Sequence, residues 1–295
     1  MSMKTIGFIG TGVMGASVVK HLLKAGYELN VYNRTKTKTD ALIALGAVWQ
    51  ENPREVAAKS EVVFTMVGYP SDVEETYYGP LGIFSTDVTG KVLVDMTTST
   101  PSLAIKIADT AREKGITSLD APVSGGDLGA QNGTLTTMVG GDRNSYEQLV
   151  PIFEVFSAKV NHQGAAGAGQ HTKMANQIMI AGTMTGMTEL LVYAEKAGLE
   201  LAKVLDTVGG GSAANWSLTN YGPRILREDF SPGFFAKHFL KDLKIALDES
   251  ARMGIALPAT ERAKELYEKL TEQGFENDGT QALIKLWWPT GKPQD

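Results

Sequence analysis

The segment Thr5–Gly15, Thr-Ile-Gly-Phe-Ile-Gly-Thr-Gly-Val-Met-Gly, leaves the chain fewer folding options than any other. Its apolar run from Thr5 to Gly10 reads as a buried strand, and a helical pattern runs from about Val13 to Ala25. Val18, Val19, Leu22 and Leu23 form the apolar stripe of that helix. Between strand and helix lie Gly10, Gly12 and Gly15 in Gly-x-Gly-x-x-Gly spacing. The first glycine permits a tight turn, the second lets a pyrophosphate approach the backbone, and the third lets the helix pack on the strand. The N–H groups of the helix N-terminus then face the phosphates. Strand, glycine loop and helix in that order form the context a dinucleotide fingerprint requires. Gly10, Thr11, Gly12, Val13, Met14 and Gly15 are therefore the first candidate cofactor-binding residues. The plainer reading is a tight βα turn without a ligand.

A second strand, Leu29 to Tyr32, ends in Asn33-Arg34-Thr35, about twenty residues beyond the fingerprint. A carboxylate there would hold a ribose 2′-hydroxyl and select NAD. None is present, and Lys36 and Lys38 follow Arg34. A planar guanidinium pairs with two oxygens of a 2′-phosphate, so the expectation is NADP(H) preferred, with NAD(H) tolerated. Further buried strands are expected at Val62–Val67, Val92–Asp95, Ser118–Val123 and Leu135–Gly140, with a short one near Val160. Helical patterns lie between them, at Leu103–Lys114 and around Tyr146–Phe156. Such alternation predicts an α/β fold, a doubly wound parallel sheet of Rossmann type. Ligands then gather at the carboxyl ends of the strands. Those ends are Met66-Val67-Gly68, Met96-Thr97-Thr98-Ser99, and Ser124-Gly125-Gly126, whose backbone N–H groups suit a carboxylate. As a motif, the last is equally a simple glycine-rich turn.

After Gly169 the pattern becomes helical throughout. Gln170 to about Gly198 contains no proline and would be roughly 42 Å long. Its apolar residues spread around most of the cylinder, which predicts a spine buried on several sides and joining two domains. Gly182 and Gly186, four apart, are expected to admit a neighbouring helix at close range. Further helices are expected at about 200–208, 236–253, 258–273 and 278–287. The loop Gly209–Trp216 is expected to help line a substrate pocket, and Trp287-Trp288 to cap the helical region. The expected domains are thus residues 1–163, a dinucleotide-binding domain, and 164–295, an all-α domain for substrate and dimerisation.

Charge and composition remove whole classes of function. A net charge of −5 argues against a general binder of nucleic acid or anionic membrane. With no cysteine, thiol nucleophiles, thiolate metal sites and disulfides are excluded. The histidines His21, His162, His171 and His238 are scattered and form no metal pair, so no metal is expected. Met1 runs almost directly into a strand pattern with no signal-peptide architecture, and no apolar run approaches bilayer length. The expectation is a cytoplasmic protein.

Few residues then remain to move a proton beside a nicotinamide. Lys173 opens the long helix with Asn176 one turn on, and the two project from one face. An isolated lysine near a helix start usually belongs to the solvated surface and opposes the helix dipole. Beside a cofactor, a lysine in a partly buried site serves as acid or base and polarises a carbonyl electrostatically. Asn176 would then hydrogen-bond a substrate hydroxyl or carboxylate. His171, about 200° round the helix from Lys173, would not share its face.

Four motifs, spread in order over essentially the whole chain, resemble the β-hydroxyacid dehydrogenase family. They are Gly7–Gly15, Asp120-Ala-Pro-Val-Ser-Gly-Gly126, Gly164–Gln177 and Lys241-Asp242-Leu243. The family includes 3-hydroxyisobutyrate dehydrogenases, tartronate semialdehyde reductases and glyoxylate/succinic semialdehyde reductases. The resemblance implies a Rossmann-type domain followed by an all-α domain, with the active site between them. It implies Lys173 as the catalytic acid/base, with Ser124, Gly125 and Gly126 on the substrate carboxylate and Asn176 holding the substrate. Lys241 would reach both cofactor and substrate, and Met66, Val67 and Thr98 would line the nicotinamide and ribose side. It implies a small hydroxy acid or semialdehyde as substrate, and a homodimer or homotetramer. Lys-Met-Ala-Asn-Gln, with Gln177 in place of a second asparagine, is closest to the tartronate semialdehyde reductase pattern. Ala175 stands where 6-phosphogluconate dehydrogenases carry a histidine, which argues against that reading. Retention of Lys173 argues against an imine-reducing or non-catalytic relative.

Overall fold

The computed structural model describes residues 3–293, and Gln294 and Asp295, the end of the tail, lie outside them. Two compact units divide at Lys173/Met174. The first is built on a nine-stranded sheet. Its strands are β1 (Thr5–Ile9), β2 (Glu28–Tyr32), β3 (Val48–Trp49), β4 (Val62–Thr65), β5 (Val92–Asp95), β6 (Thr117–Asp120), β7 (Val123–Ser124), β8 (Leu135–Gly140) and β9 (Ser157–Gly164). The order is β3-β2-β1-β4-β5-β6-β8-β7, with β9 pairing β8. Every pair from β3 across to β6 is parallel. The order reverses at β1, which has β2 on one side and β4 on the other, so the glycine loop after β1 opens at the switch point.

β4 and β5 are buried at every position, as expected for strands covered on both faces. One face packs Phe8, Val31 and Phe64 against Val18, Val19 and Leu22 of the helix Val13–Lys24. Leu23 of the expected stripe is only partly buried at the edge of this cluster. The other face packs Ile9, Val63 and Leu93 against Val56, Val73, Tyr77 and Ile107. Those four come from helices Pro53–Ala58, Pro70–Tyr78 and Pro101–Glu113, each of which opens on proline at its first turn.

The far edge departs from a purely parallel sheet. The expected strand Ser118–Val123 is broken at Ala121-Pro122, since proline has no N–H for a ladder. The chain leaves β6, forms two-residue β7, and returns as β8, antiparallel to both. β9, eight residues long and paired parallel with β8, exceeds the short piece expected near Val160.

The second unit is helical: the rest of Ala168–Lys196, then Leu201–Gly209, Trp216–Leu226, Ala236–Arg252 and Pro258–Glu272. Thr280–Leu286 is a 3-10 helix. Two of its apolar clusters gather around Phe239, Leu243 and Tyr267, and around Met184, Leu191 and Leu218. Trp288 is buried in the latter, while Trp287 is exposed. Helix Trp216–Leu226, which carries Pro223 inside it, is not among the expected helices. Asn215, whose side chain accepts from the Leu218 N–H at 2.9 Å, was the signal available for it. Gly209 closes one helix and Trp216 opens the next, exposed and edge-on to the buried Tyr221. A side chain at Gly182 or Gly186 would meet nothing within 4 Å, so the close helix approach expected there is not made among the described residues. Among the described residues, no helix is long and apolar enough to cross a membrane.

Candidate active site

The glycine loop has the geometry its spacing called for. Gly10 has φ of 101°, and a side chain there would collide with the Met66 carbonyl. A side chain at Gly15 would collide with the carbonyl of Gly10. Those two glycines are spent on the fold itself, bringing the helix onto the strand. Gly12 differs, because a Cβ there would meet nothing within 4 Å. It caps the helix Val13–Lys24 without a side-chain hydrogen bond to the first turn. Beside it, Thr11 is buried and its hydroxyl has no hydrogen-bond partner among the described residues. Val13 is exposed, and Met14 is half-buried against the core. Open space over a helix N-terminus, with an unspent donor beside it, fits the pyrophosphate of a dinucleotide.

The end of β2 is tied to this loop. The Asn33 side chain accepts from the Thr11 N–H at 3.1 Å and donates to the Thr35 carbonyl at 2.9 Å. That rigid turn presents Arg34, whose side chain is 81% exposed. One guanidinium nitrogen donates to Asp72 at 3.2 Å. Asp72 also accepts from the Tyr69 N–H at 3.1 Å at the start of helix Pro70–Tyr78. An exposed ion pair of this kind is worth about 0–1 kcal/mol, so a phosphate dianion competes with it readily.

The strand ends that follow are knitted together by buried polar groups. Val67 donates its N–H to the Thr97 hydroxyl at 3.0 Å, joining the half-buried Met66-Val67 end of β4 to the loop after β5. Asp95 stands opposite Asp120 in the β5–β6 register. It accepts from the Thr65 hydroxyl at 2.7 Å and the Thr97 N–H at 3.1 Å. Burial pushes the Asp95 carboxyl up to about 6 from its ordinary 3.8, against the opposing pull of those donors. Asp120 is also raised by burial, offset in part by backbone N–H donors. Thr98, half-buried, lies between Thr97 and Ser99 in the same loop.

Asp120 meets the glycine-rich stretch from Gly164. Its carboxylate accepts from the Gly167 N–H and the Gln170 N–H, both at 2.8 Å. These are donors that the start of helix Ala168–Lys196 cannot satisfy internally. Side chains at Gly140 or Gly169 would run into this carboxylate, and Gly167 has φ of 89°. The glycines thus serve a protein carboxylate docked on the helix N-terminus. Two turns of that helix carry Gln170, Lys173 and Gln177 on its buried face. Lys173 is 6% exposed, in place of the solvated position that an isolated lysine usually takes. His171 is exposed, pointing away.

Ser124 ends β7, opposite Thr136 of β8. Gly125 and Gly126 follow with φ of 127° and 64°, and Gly126 begins the short helix Gly126–Asn132. Only glycine takes this pair of conformations readily. No side chain caps this helix at Gly125.

In the second unit, the Asn176 amide donates to Gln177 at 2.7 Å, and the Gln177 amide donates to Asp242 at 2.6 Å. Lys241 lies 3.2 Å from the other Asp242 oxygen. Asp242, buried at 1% exposure, is therefore the hub that orders Gln177 and Lys241. It was not singled out from sequence, although it stands inside the Lys241-Asp242-Leu243 motif; its spacing of 65 residues from Gln177 gave no local signal. Among the described residues, no group of three or more His, Asp or Glu could hold a metal ion.

Comparison with known proteins agrees with this architecture. Residues 5–164 match the model of the NAD binding domain of 6-phosphogluconate dehydrogenase. Residues 167–287 match that described as NAD-binding of NADP-dependent 3-hydroxyisobutyrate dehydrogenase. The chain is 52% identical to a probable 3-hydroxyisobutyrate dehydrogenase-like 1, mitochondrial, of Arabidopsis thaliana, over 95% of this chain and 84% of that one. It is 36% identical to the 2-hydroxy-3-oxopropionate reductase of Escherichia coli, over 95% and 96% of the two chains. Among solved structures, a Mycobacterium tuberculosis 3-hydroxyisobutyrate dehydrogenase with L-serine superposes with a TM-score of 0.88 at 30% identity, over 97% and 99% of the chains.

Proposed function

We propose that this chain, which belongs to the β-hydroxyacid dehydrogenase family and is an NAD(P)-dependent oxidoreductase acting on CH–OH groups, interconverts a short β-hydroxy acid and its semialdehyde with NADP(H). The observation that carries the reading is the buried Lys173 on the first turns of a helix anchored to the carboxyl ends of the Rossmann strands. The nicotinamide supplies or accepts the hydride when bound. The protein must orient the substrate and handle one proton. Lys173 is assigned as general acid toward the aldehyde oxygen in reduction and as general base toward the hydroxyl in oxidation. In its ammonium form it also stabilises charge developing on that oxygen.

Ser124, Gly125 and Gly126 are assigned to the substrate carboxylate, with Asn176 orienting the substrate. Lys241, held by Asp242, adds positive charge for the anionic substrate and the cofactor. Gly10 to Gly15 cradle the pyrophosphate, Asn33 to Thr35 the adenosine ribose, and Met66, Val67 and Thr98 the nicotinamide side. Arg34 supports NADP(H), because its guanidinium is exposed and only weakly engaged by Asp72. The motif Lys173-Met-Ala-Asn-Gln177 favours a tartronate semialdehyde type of substrate, with glyoxylate or succinic semialdehyde as the nearest alternative. The exposed apolar residues Met179 and Tyr193 on the long helix fit a homodimer or homotetramer.

The test is a panel of tartronate, methylmalonate, succinic and glyoxylate aldehydes with NADPH and NADH side by side, followed at 340 nm. Lys173→Ala should lower kcat by about 10²–10⁴-fold while NADPH binding is kept. A Lys173→Ala variant with parental kcat ends the acid/base assignment. Turnover with none of these aldehydes ends the substrate class.

A further inference from the structure

Gln170 sits one turn before Lys173 on the same buried face and is itself fully buried. Its side-chain carbonyl accepts from the Ser99 N–H at 3.0 Å, and its amide donates to the Thr97 carbonyl at 2.7 Å. One side chain therefore grips the backbone on both sides of Thr98, across 71 and 73 residues of sequence. Its own N–H is held by Asp120. Helix start and β5 loop are thus locked in both rotation and height. A glutamine is the residue such a bracket needs, because it must accept at one end and donate at the other from a planar group. A hydrophobic side chain would leave a buried N–H and a buried carbonyl unpaired.

We infer that Gln170 is a positioning residue for the reaction, fixing Lys173 in register with the Thr98 loop by its paired hydrogen bonds to Ser99 and Thr97. The inference rests on the assignment of Lys173 as acid/base. Misplacing a catalytic group by about 1 Å costs on the order of 100-fold in rate. Freeing this bracket therefore lowers kcat more than it changes binding of substrate or dinucleotide.

Two substitutions test this. Gln170→Leu removes both hydrogen bonds. Gln170→Glu keeps the shape and the acceptor toward Ser99, but sets a carboxylate oxygen against the Thr97 carbonyl. In steady-state assays with NADPH, each should lower kcat by about 10–100-fold, with the KM for NADPH within about threefold of the parent. Each is then combined with Lys173→Ala. A group that acts through Lys173 has nothing left to position, so the residual rate of Lys173→Ala should be unchanged by the second substitution. A kcat within threefold of the parent for the soluble Gln170→Glu protein overturns the proposal. So does a further tenfold loss in the Lys173→Ala background, which would mark a purely structural role. Lys173→Ala alone with parental kcat would instead overturn the acid/base assignment, whatever the Gln170 variants do.

Discussion

Replacing Asp95 by asparagine should change how stability depends on pH, and the amount follows from its surroundings. The carboxyl is 4% exposed and sits opposite a second buried carboxyl, Asp120, with Thr65 and Thr97 as donors. A rise from 3.8 to about 6 corresponds to about 3 kcal/mol between the two protonation states. The folded protein holds the proton more tightly than the unfolded chain. The stability from this group is therefore fully present below about pH 4 and is lost as pH rises through about 6. Roughly half of the 3 kcal/mol is lost between pH 5 and pH 7.5. Asp95→Asn keeps an acceptor for the Thr97 N–H and cannot ionise. Urea unfolding of parent and variant at pH 5 and pH 7.5 gives two stability differences. Comparing them cancels any effect of the substitution that does not depend on pH. The variant should gain about 1 kcal/mol or more on the parent between the two conditions. An unchanged difference refutes the claim that burial outweighs the two donors. A shift in the parent's favour would mean that the donors dominate.

Gly10→Ala and Gly12→Ala should separate fold from binding. The first is strained at its positive φ and against the Met66 carbonyl, and should cost about 1–3 kcal/mol or more in thermal unfolding. The second should leave the melting temperature within about two degrees, since a methyl there meets only open space, yet weaken dinucleotide binding at least tenfold by fluorescence titration. Arg34→Ala should raise the KM for NADPH about 10–100-fold and leave that for NADH nearly unchanged. Equal effects on both would remove the 2′-phosphate assignment. Phe239→Ala, emptying a fully buried site edge-on to Tyr267, should cost about 3–5 kcal/mol in urea unfolding. A loss under 1 kcal/mol would mean that the cluster collapses to fill the space.

What could be read from the sequence was governed by the range of the interactions. The glycine loop, β1 and the helix Val13–Lys24 were legible because the apolar run, the glycine spacing and the helical stripe that announce them fall within about twenty residues. The 29-residue helix Ala168–Lys196 was legible from its uninterrupted pattern. The β6–β8 reversal was not, because the antiparallel pairing of Asp120 with Gly140 is a tertiary choice that leaves β8 looking like any buried strand. Helix Trp216–Leu226 was hidden by Pro223, which costs its helix one hydrogen bond that burial of Leu218, Tyr221 and Ile225 offsets. At the candidate site, the residues expected to meet ligands carried motif signals. Those that hold them in place, Asp120, Gln170 and Asp242, lie inside the same motifs, but their partners are 47 to 73 residues away and nothing local gave them that role.

Gly140, Gly167 and Gly169 surround one carboxylate, although β8 and the 164–169 turn are far apart in the sequence. For anyone recombining this chain with a relative or building a library on it, these glycines and Asp120 behave as a single heritable character. A crossover between residues 120 and 140, or between 140 and 167, brings together two halves of one fitting from different parents. Chimaeras should therefore be joined before Asp120 or after Gln170, so that the whole fitting comes from one source.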